Sequence, residues 1–184
     1  MKVPRSIVWN GRTTGGTPAA DGVYTYVFEA WDDSGASSRS SPRKIVVDNT
    51  PPAARAAMEY RFFSPDGDDS MDSLPLRLSA SEEASWSAVF TDAAGAEASA
   101  VDFGTALPSR YLWNGTGGDG GRLPDGEYAF RLTGVDRAGN VGTTSAGPVV
   151  LDTTPRAFRL AADTEHFSPG AGPGVGRITP SGLV

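Results

Sequence analysis

The stretch Asp125-Gly126-Glu127-Tyr128-Ala129-Phe130-Arg131-Leu132-Thr133-Gly134-Val135-Asp136-Arg137-Ala138-Gly139-Asn140 decides the fold. Between its Asp-Gly and Asp-Arg-Ala-Gly-Asn turns the residues alternate. Tyr128, Phe130, Leu132 and Gly134 share one face, and Glu127, Ala129, Arg131 and Thr133 share the other. A period of two is the period of a half-buried strand. Gly and Asn supply positive φ in the turns, and Asp accepts backbone N–H groups there. This is hairpin chemistry, and it predicts a closing strand over Pro148–Asp152.

The same pattern is written earlier in the chain. Val23-Tyr-Thr-Tyr-Val-Phe-Glu-Ala-Trp-Asp32 puts Tyr24, Tyr26, Phe28 and Ala30 on one face, after Asp21-Gly22 and before Asp32-Asp-Ser-Gly35. The offset is 104 residues, and it holds without a gap from Trp9-Asn10-Gly11 on Trp113-Asn114-Gly115 to Phe63-Ser64-Pro65 on Phe167-Ser168-Pro169, with 20 identities in 57 positions. The face that stays apolar in both copies is the predicted core. A period of this size fits one sandwich domain and exceeds the ~20–50 residues of a solenoid repeat.

Thr50-Pro51 and Thr154-Pro155 each follow a closing strand (Arg43–Asp48 and Pro148–Asp152), where proline ends a strand and stiffens an extended joint. Cutting there divides the chain into three parts. Residues 1–52 are the C-terminal half of a preceding unit, and 53–154 form a complete unit. Residues 155–184 begin a following unit, whose Gly/Pro-rich end from Ser168 is expected to be poorly ordered. Within the complete unit, further strands are predicted over Arg55–Phe62, Leu74–Ser79, Ser85–Thr91 and Arg110–Trp113, with a weaker one over Ala96–Phe103. The Ala-rich stretch from Ala53 invites a helix, but its repeat partner Ala157-Phe-Arg-Leu-Ala-Ala alternates, so a strand is expected. The fold class is all-β: an immunoglobulin or fibronectin type III-like β-sandwich in tandem repeat. Trp9 and Trp113 are expected at the sandwich edge, and Arg131 as a charge guarding a sheet edge.

The motifs Trp113-Asn114-Gly115, Gly118-Asp119-Gly120-Gly121-Arg122-Leu123-Pro124-Asp125-Gly126-Glu127-Tyr128, Val135-Asp136-Arg137-Ala138-Gly139-Asn140 and Phe63-Ser64-Pro65-Asp66-Gly67-Asp68 resemble the Ig-like domain of the flagellar hook-capping protein family. The departures are Asn after each Trp, where the family has Asp, and Ala36 in place of Asn140's counterpart. Such domains also occur as repeats in large exported surface proteins of bacteria, and the tandem arrangement here is similar to that second setting. The resemblance implies an extracellular, cell-surface or periplasmic location, although Met1–Ser6 carries no apolar signal-peptide core.

Composition agrees with this reading. The chain has 23 Gly and 14 Pro in 184 residues, about a fifth of the total, against ~12% in average usage. Long helices have no room between such breakers. With no Cys, disulfides, thiolate metal sites and a Cys nucleophile are excluded. A net charge of −6 argues against nucleic acid as a partner, and no apolar run approaches a membrane span of ~20 residues. The sole His, His166, gives no triad, and no phosphate-binding loop with its Lys occurs. Glu82-Glu83 reads as solvated surface. No catalytic residues are assigned, and the chain is not expected to be an enzyme.

One loop carries candidate ligand chemistry. Asp66, Asp68 and Asp72, with Ser70 or a carbonyl, place hard oxygens at alternate positions around Gly67 and could hold calcium. The loop lacks the distal Glu of an EF-hand, and its repeat equivalents are Gly170, Gly172 and Gly176, so a plain acidic turn competes with the metal reading. The expected function is a non-catalytic structural, spacer or protein-interaction module of an exported or surface protein. Its partners would be other domains of the same or an associated protein, with no obligate oligomer implied. The alternatives are a carbohydrate- or calcium-binding accessory module of an exported hydrolase or adhesin, and a hook-assembly scaffold. Exposure of Trp31 and Trp86 would favour the carbohydrate alternative.

Overall fold

A computed structural model describes residues 6–81, 84–155, 159–162 and 178–181, the last two segments as backbone strands. Glu82-Glu83, His166 and most of the Gly/Pro-rich end lie outside the described residues. All regular structure in the described residues is β. The chain begins with β1 (Gly22–Tyr26), β2 (Glu29–Trp31), β3 (Ser37–Arg39) and β4 (Arg43–Val47). β1 pairs antiparallel with β4, and β2 with β3, as two separate two-stranded sheets.

The sandwich proper is built from β5 (Ala54–Met58), β6 (Phe62–Phe63), β7 (Leu74–Ala80), β8 (Ala84–Asp92), β9 (Glu97–Gly104), β10 (Arg110–Trp113), β11 (Gly126–Asp136) and β12 (Val141–Leu151). One layer has the order β10-β7-β5, and the other β6-β12-β11-β8-β9. Pairing is antiparallel except where β6 joins β12 in parallel. The last elements, β13 (Arg159–Ala162) and β14 (Ile178–Ser181), form an antiparallel pair.

The alternation read from sequence sets the core. Tyr128, Phe130 and Leu132 of β11 are buried, and Val149 and Leu151 of β12 join them. Leu74, Leu76 and Leu78 of β7 face them from the three-stranded layer, with Phe63 and Phe90 filling between. The Ala-rich stretch is a strand, as its repeat partner suggests. Near its middle β12 gains one residue over β11, with Tyr128 opposite Val149 but Phe130 opposite Ala146. Pro148, which has no N–H to give a ladder, sits in this bulge.

Several local expectations are corrected. Trp113 lies in the centre of the core, 2% exposed, stacked on Phe90 at 3.8 Å between ring centroids, not at the sandwich edge. Trp86 is 1% exposed, so it is a core residue and no ligand platform. Arg131 guards no edge, because β11 is flanked by β12 on one side and β8 on the other. The predicted strand Val23–Asp32 is split into β1 and β2, and Arg55–Phe62 is split into β5 and β6. In the first case no neighbour like β8 continues the ladder; in the second the chain leaves one layer for the other.

Candidate functional site

Two places gather polar side chains: the acidic loop between β6 and β7, and the joint after β4. In the acidic loop, carboxylate oxygens of Asp66, Asp68 and Asp72 lie within 4.8 Å of one another. The loop is drawn together by its own backbone. Asp72 accepts the N–H groups of Gly67 at 2.7 Å and Asp69 at 2.9 Å, one on each oxygen. Asp66 accepts from Asp68 N at 3.2 Å, and Asp68 from Ser70 N at 2.8 Å. Asp66 and Asp68 are exposed and Asp72 is half-buried. The three predicted ligands are thus together, with part of their acceptor capacity used by amides that cap the turn. Together they form a hard-oxygen set of the kind a calcium ion takes.

The joint, residues 48–52, is held from both sides. Before it, Asp21 of the Asp-Gly turn accepts hydrogen bonds from Asn49 N at 2.7 Å, Asn49 Nδ2 at 2.6 Å and Thr50 Oγ1 at 2.5 Å. These bonds, that from Thr50 foremost, hold the Asp21 carboxyl below its ordinary range. The repeat partner Asp125 does the same at the next joint, accepting from Thr153 N at 3.0 Å and from Thr153 Oγ1 and Thr154 Oγ1. Its carboxyl is likewise lowered, first by the Thr153 amide. After the joint, Asn140 Nδ2 donates to the carbonyl of Asp48 at 3.0 Å, across 92 residues of sequence, and to Asp136 Oδ2 at 2.9 Å. Burial pushes the Asp136 carboxyl up, but the hydrogen bonds from Asn140, Ala138 and Gly139 outweigh it and the net shift is downward. Pro52 is buried. A Cβ placed on Gly142 would stand 1.9 Å from the Pro52 carbonyl oxygen, so the joint passes flush against β12.

In the first copy the equivalent turn keeps its backbone and loses its amide. Ala36 N donates to Asp32 at 2.9 Å, as Asn140 N donates to Asp136 at 2.9 Å, but alanine has nothing to reach with. Sequence reading found both turns and missed that Asp21, Asp125 and Asn140 tie turns to the segments around the Thr-Pro pairs. The recurrence of Asp-Gly and Asp-x-Thr-Pro at fixed spacing was the available signal.

A further recurring device is a tyrosine corner. Tyr128 Oη donates to the Pro124 carbonyl at 2.8 Å, and Tyr24 Oη to that of Ala20 at 3.0 Å. Beside each lies the Trp of the Trp-Asn-Gly turn, its Nε1 donating to Thr116 O or Arg12 O. This arrangement is a hallmark of immunoglobulin-type sandwiches. The fold is an Ig-like β-sandwich.

No protein-family model matches the chain, and no curated protein matches it. Among solved structures it is similar to a tetra-tandem repeat in the extending region of a large adhesion protein, at 24% identity and a TM-score of 0.42, covering 78% of this chain and 35% of that one. It is also similar to dimeric latent PorU from Porphyromonas gingivalis, at 18% identity and a TM-score of 0.39, covering 74% of this chain and 13% of that one. The chain therefore spans about a third or less of the length of these structures. Among the described residues no helix is long and apolar enough to cross a membrane. Of the two tryptophans relevant to carbohydrate binding, Trp31 is exposed and Trp86 is buried.

Proposed function

We propose that this chain is a non-catalytic structural module, a run of Ig-like units whose joints are fixed so that the array acts as a spacer or presents loops to a partner. The observation that carries the reading is the clasped joint: Asp21 grips Asn49 and Thr50 from the preceding side, and Asn140 grips the Asp48 carbonyl from the following side. A flexible tether has no use for such bonds, whereas a spacer that must hold its neighbours at one angle does. The exported or cell-surface setting rests on the motif resemblance.

The chain has no cysteine, so two introduced thiols give a clean test. Spin labels at Ser38→Cys and Ala94→Cys report the distance between the units by pulsed electron resonance. One narrow distance distribution is expected, broadening when Asn140→Ala is added. A distribution already as broad without Asn140→Ala would overturn the spacer reading.

A second reading attaches to the acidic loop, because three carboxylates converge within 4.8 Å. In it, Asp66, Asp68 and Asp72 bind calcium and the loop is a ligand site. A melting temperature raised by calcium, not by magnesium, and insensitive to calcium in Asp68→Asn would establish it. A melting temperature unmoved by calcium or chelator leaves the loop as a turn capped by its own side chains.

A further inference from the structure

The outer face of the three-stranded layer carries charge of one sign, and the loop that enters the layer carries the other. In β7 the alternation buries Leu74, Leu76 and Leu78 and turns Arg77 and Ser79 outward. Arg110 of β10 stands directly opposite Arg77, and Arg55 of β5 stands opposite Ser79. One carboxylate serves both central guanidinium groups: Glu59 Oε1 lies 3.0 Å from Arg77 Nε and 3.8 Å from Arg110 Nε. Like charges directly across a ladder repel, so Glu59 is what holds the two arginines side by side. Two guanidinium groups against one carboxylate leave a net positive charge, and Arg55 adds to it. Beside the triad lies an open recess of about 550 Å³ lined by Glu59, Arg77, Ser109 and Arg110.

The loop 66–72 brings the complementary charge. It contains Asp66, Asp68, Asp69 and Asp72, the first three exposed. It leads into β7 at Leu74, and Arg77 stands three residues further on, about 10 Å along the strand. Among the described residues no ion pair joins this loop to the arginines within one copy. Between the two patches, on the outer face, is Leu112, opposite Pro75 and 52% exposed. A single exposed leucine is ordinary. One set between patches of opposite sign has the order of an interface, an apolar middle with a charged rim.

We propose that this face pairs two copies of the chain about a two-fold axis, with Leu112 of each copy at the centre and the loop 66–72 of each over Arg77 and Arg110 of the other. A two-fold contact must be self-complementary, so that when one patch meets another the second also meets the first. This face meets that condition, because its basic and acidic patches lie on opposite sides of Leu112. Running the two β7 strands antiparallel sets loop on arginines at both ends, whereas running them parallel sets arginine on arginine. Both patches lie within the complete unit, and the inference stands independently of the spacer reading. Charge complementarity fixes register more than strength, so the pair is reversible and weakens as salt screens the exposed charges.

Sedimentation of the full chain in the presence of chelator, so that no cation occupies the loop, tests the pairing. The expected result is a shift with concentration from 19.1 kDa towards twice that mass in low salt, reversed in high salt. Leu112→Asp, at an exposed strand position, should abolish the shift and keep the near-ultraviolet tryptophan signal. So should Asp68→Lys with Asp69→Lys, and so should Glu59→Arg with Arg77→Glu and Arg110→Glu, which keeps the triad's internal pairing with its signs reversed. Mixing these two charge-reversed chains is the deciding arm. Each restores the contacts the other has lost, so a heterodimer should form although neither chain pairs with itself. A single-copy mass at every soluble concentration would overturn the proposal and leave the arginines to another anionic partner. Assemblies growing beyond two copies, pairing unchanged in Leu112→Asp, or folded charge-reversed chains that stay unpaired when mixed would overturn it too.

Discussion

Gly134 and Trp86 show how a single position serves the core. A Cβ on Gly134 would lie 2.4 Å from Cζ3 of Trp86, so the indole occupies the space a side chain would need. Gly134→Ala should destabilise the unit by about 1–3 kcal/mol, the usual cost of overpacking, seen as a lower urea midpoint with unchanged slope. An unchanged midpoint would mean that the indole is free to move. Trp113→Ala, which removes the ring between Phe63, Phe90 and Tyr128, should cost more, about 3–5 kcal/mol. The sequence placed Gly134 on the inner face but could not say what fills its space, because Trp86 comes from a strand 48 residues away. The burial of Trp86 was legible: Ala84, Trp86, Ala88 and Phe90 alternate with Ser85, Ser87 and Val89.

At the scale of elements, the same strand pattern gives different results in the two copies. β11 runs unbroken over Gly126–Asp136 between β8 and β12, whereas β1 and β2 are separated at Val27-Phe28. Alternation alone reports which face is apolar; the length of a strand depends on its neighbours. Amide hydrogen exchange should therefore be slow across 128–135 and faster by orders of magnitude across 23–30, since local opening follows burial. The turns at the strand ends add a pH dependence. Asp21, Asp32, Asp125 and Asp136 are all lowered, Asp32 chiefly by the Ser34 hydroxyl. Groups whose folded pKa lies below the unfolded value of about 3.9 contribute stability that is complete above that value and fades as pH falls through the folded one. The melting temperature should hold above about pH 5 and decline below pH 4, with a shallower decline in Asp125→Asn. A profile in Asp125→Asn as steep as that of the unaltered chain would show that this carboxylate contributes nothing.

For the whole molecule, the repeat was legible because identity at a fixed offset survives whatever the units do in space. The joint was not, since the bond from Asn140 to Asp48 links turns that only folding brings together. Gly142 makes the connection testable. It stands opposite Gly134 in the β11–β12 ladder, and its missing side chain leaves room for the buried Pro52 to lie against it. Because the atom facing Gly142 is a backbone carbonyl, a methyl group there cannot be met by a rotamer change; the joint itself must move. Gly142→Ala should therefore release the joint while leaving the core around Trp86 and Trp113 in place. The expected signature is a larger radius of gyration by small-angle scattering, with the near-ultraviolet tryptophan signal preserved. Scattering unchanged with that signal intact would show that the close approach of Pro52 does not set the angle between units, leaving Asn140 and Asp21 to set it alone.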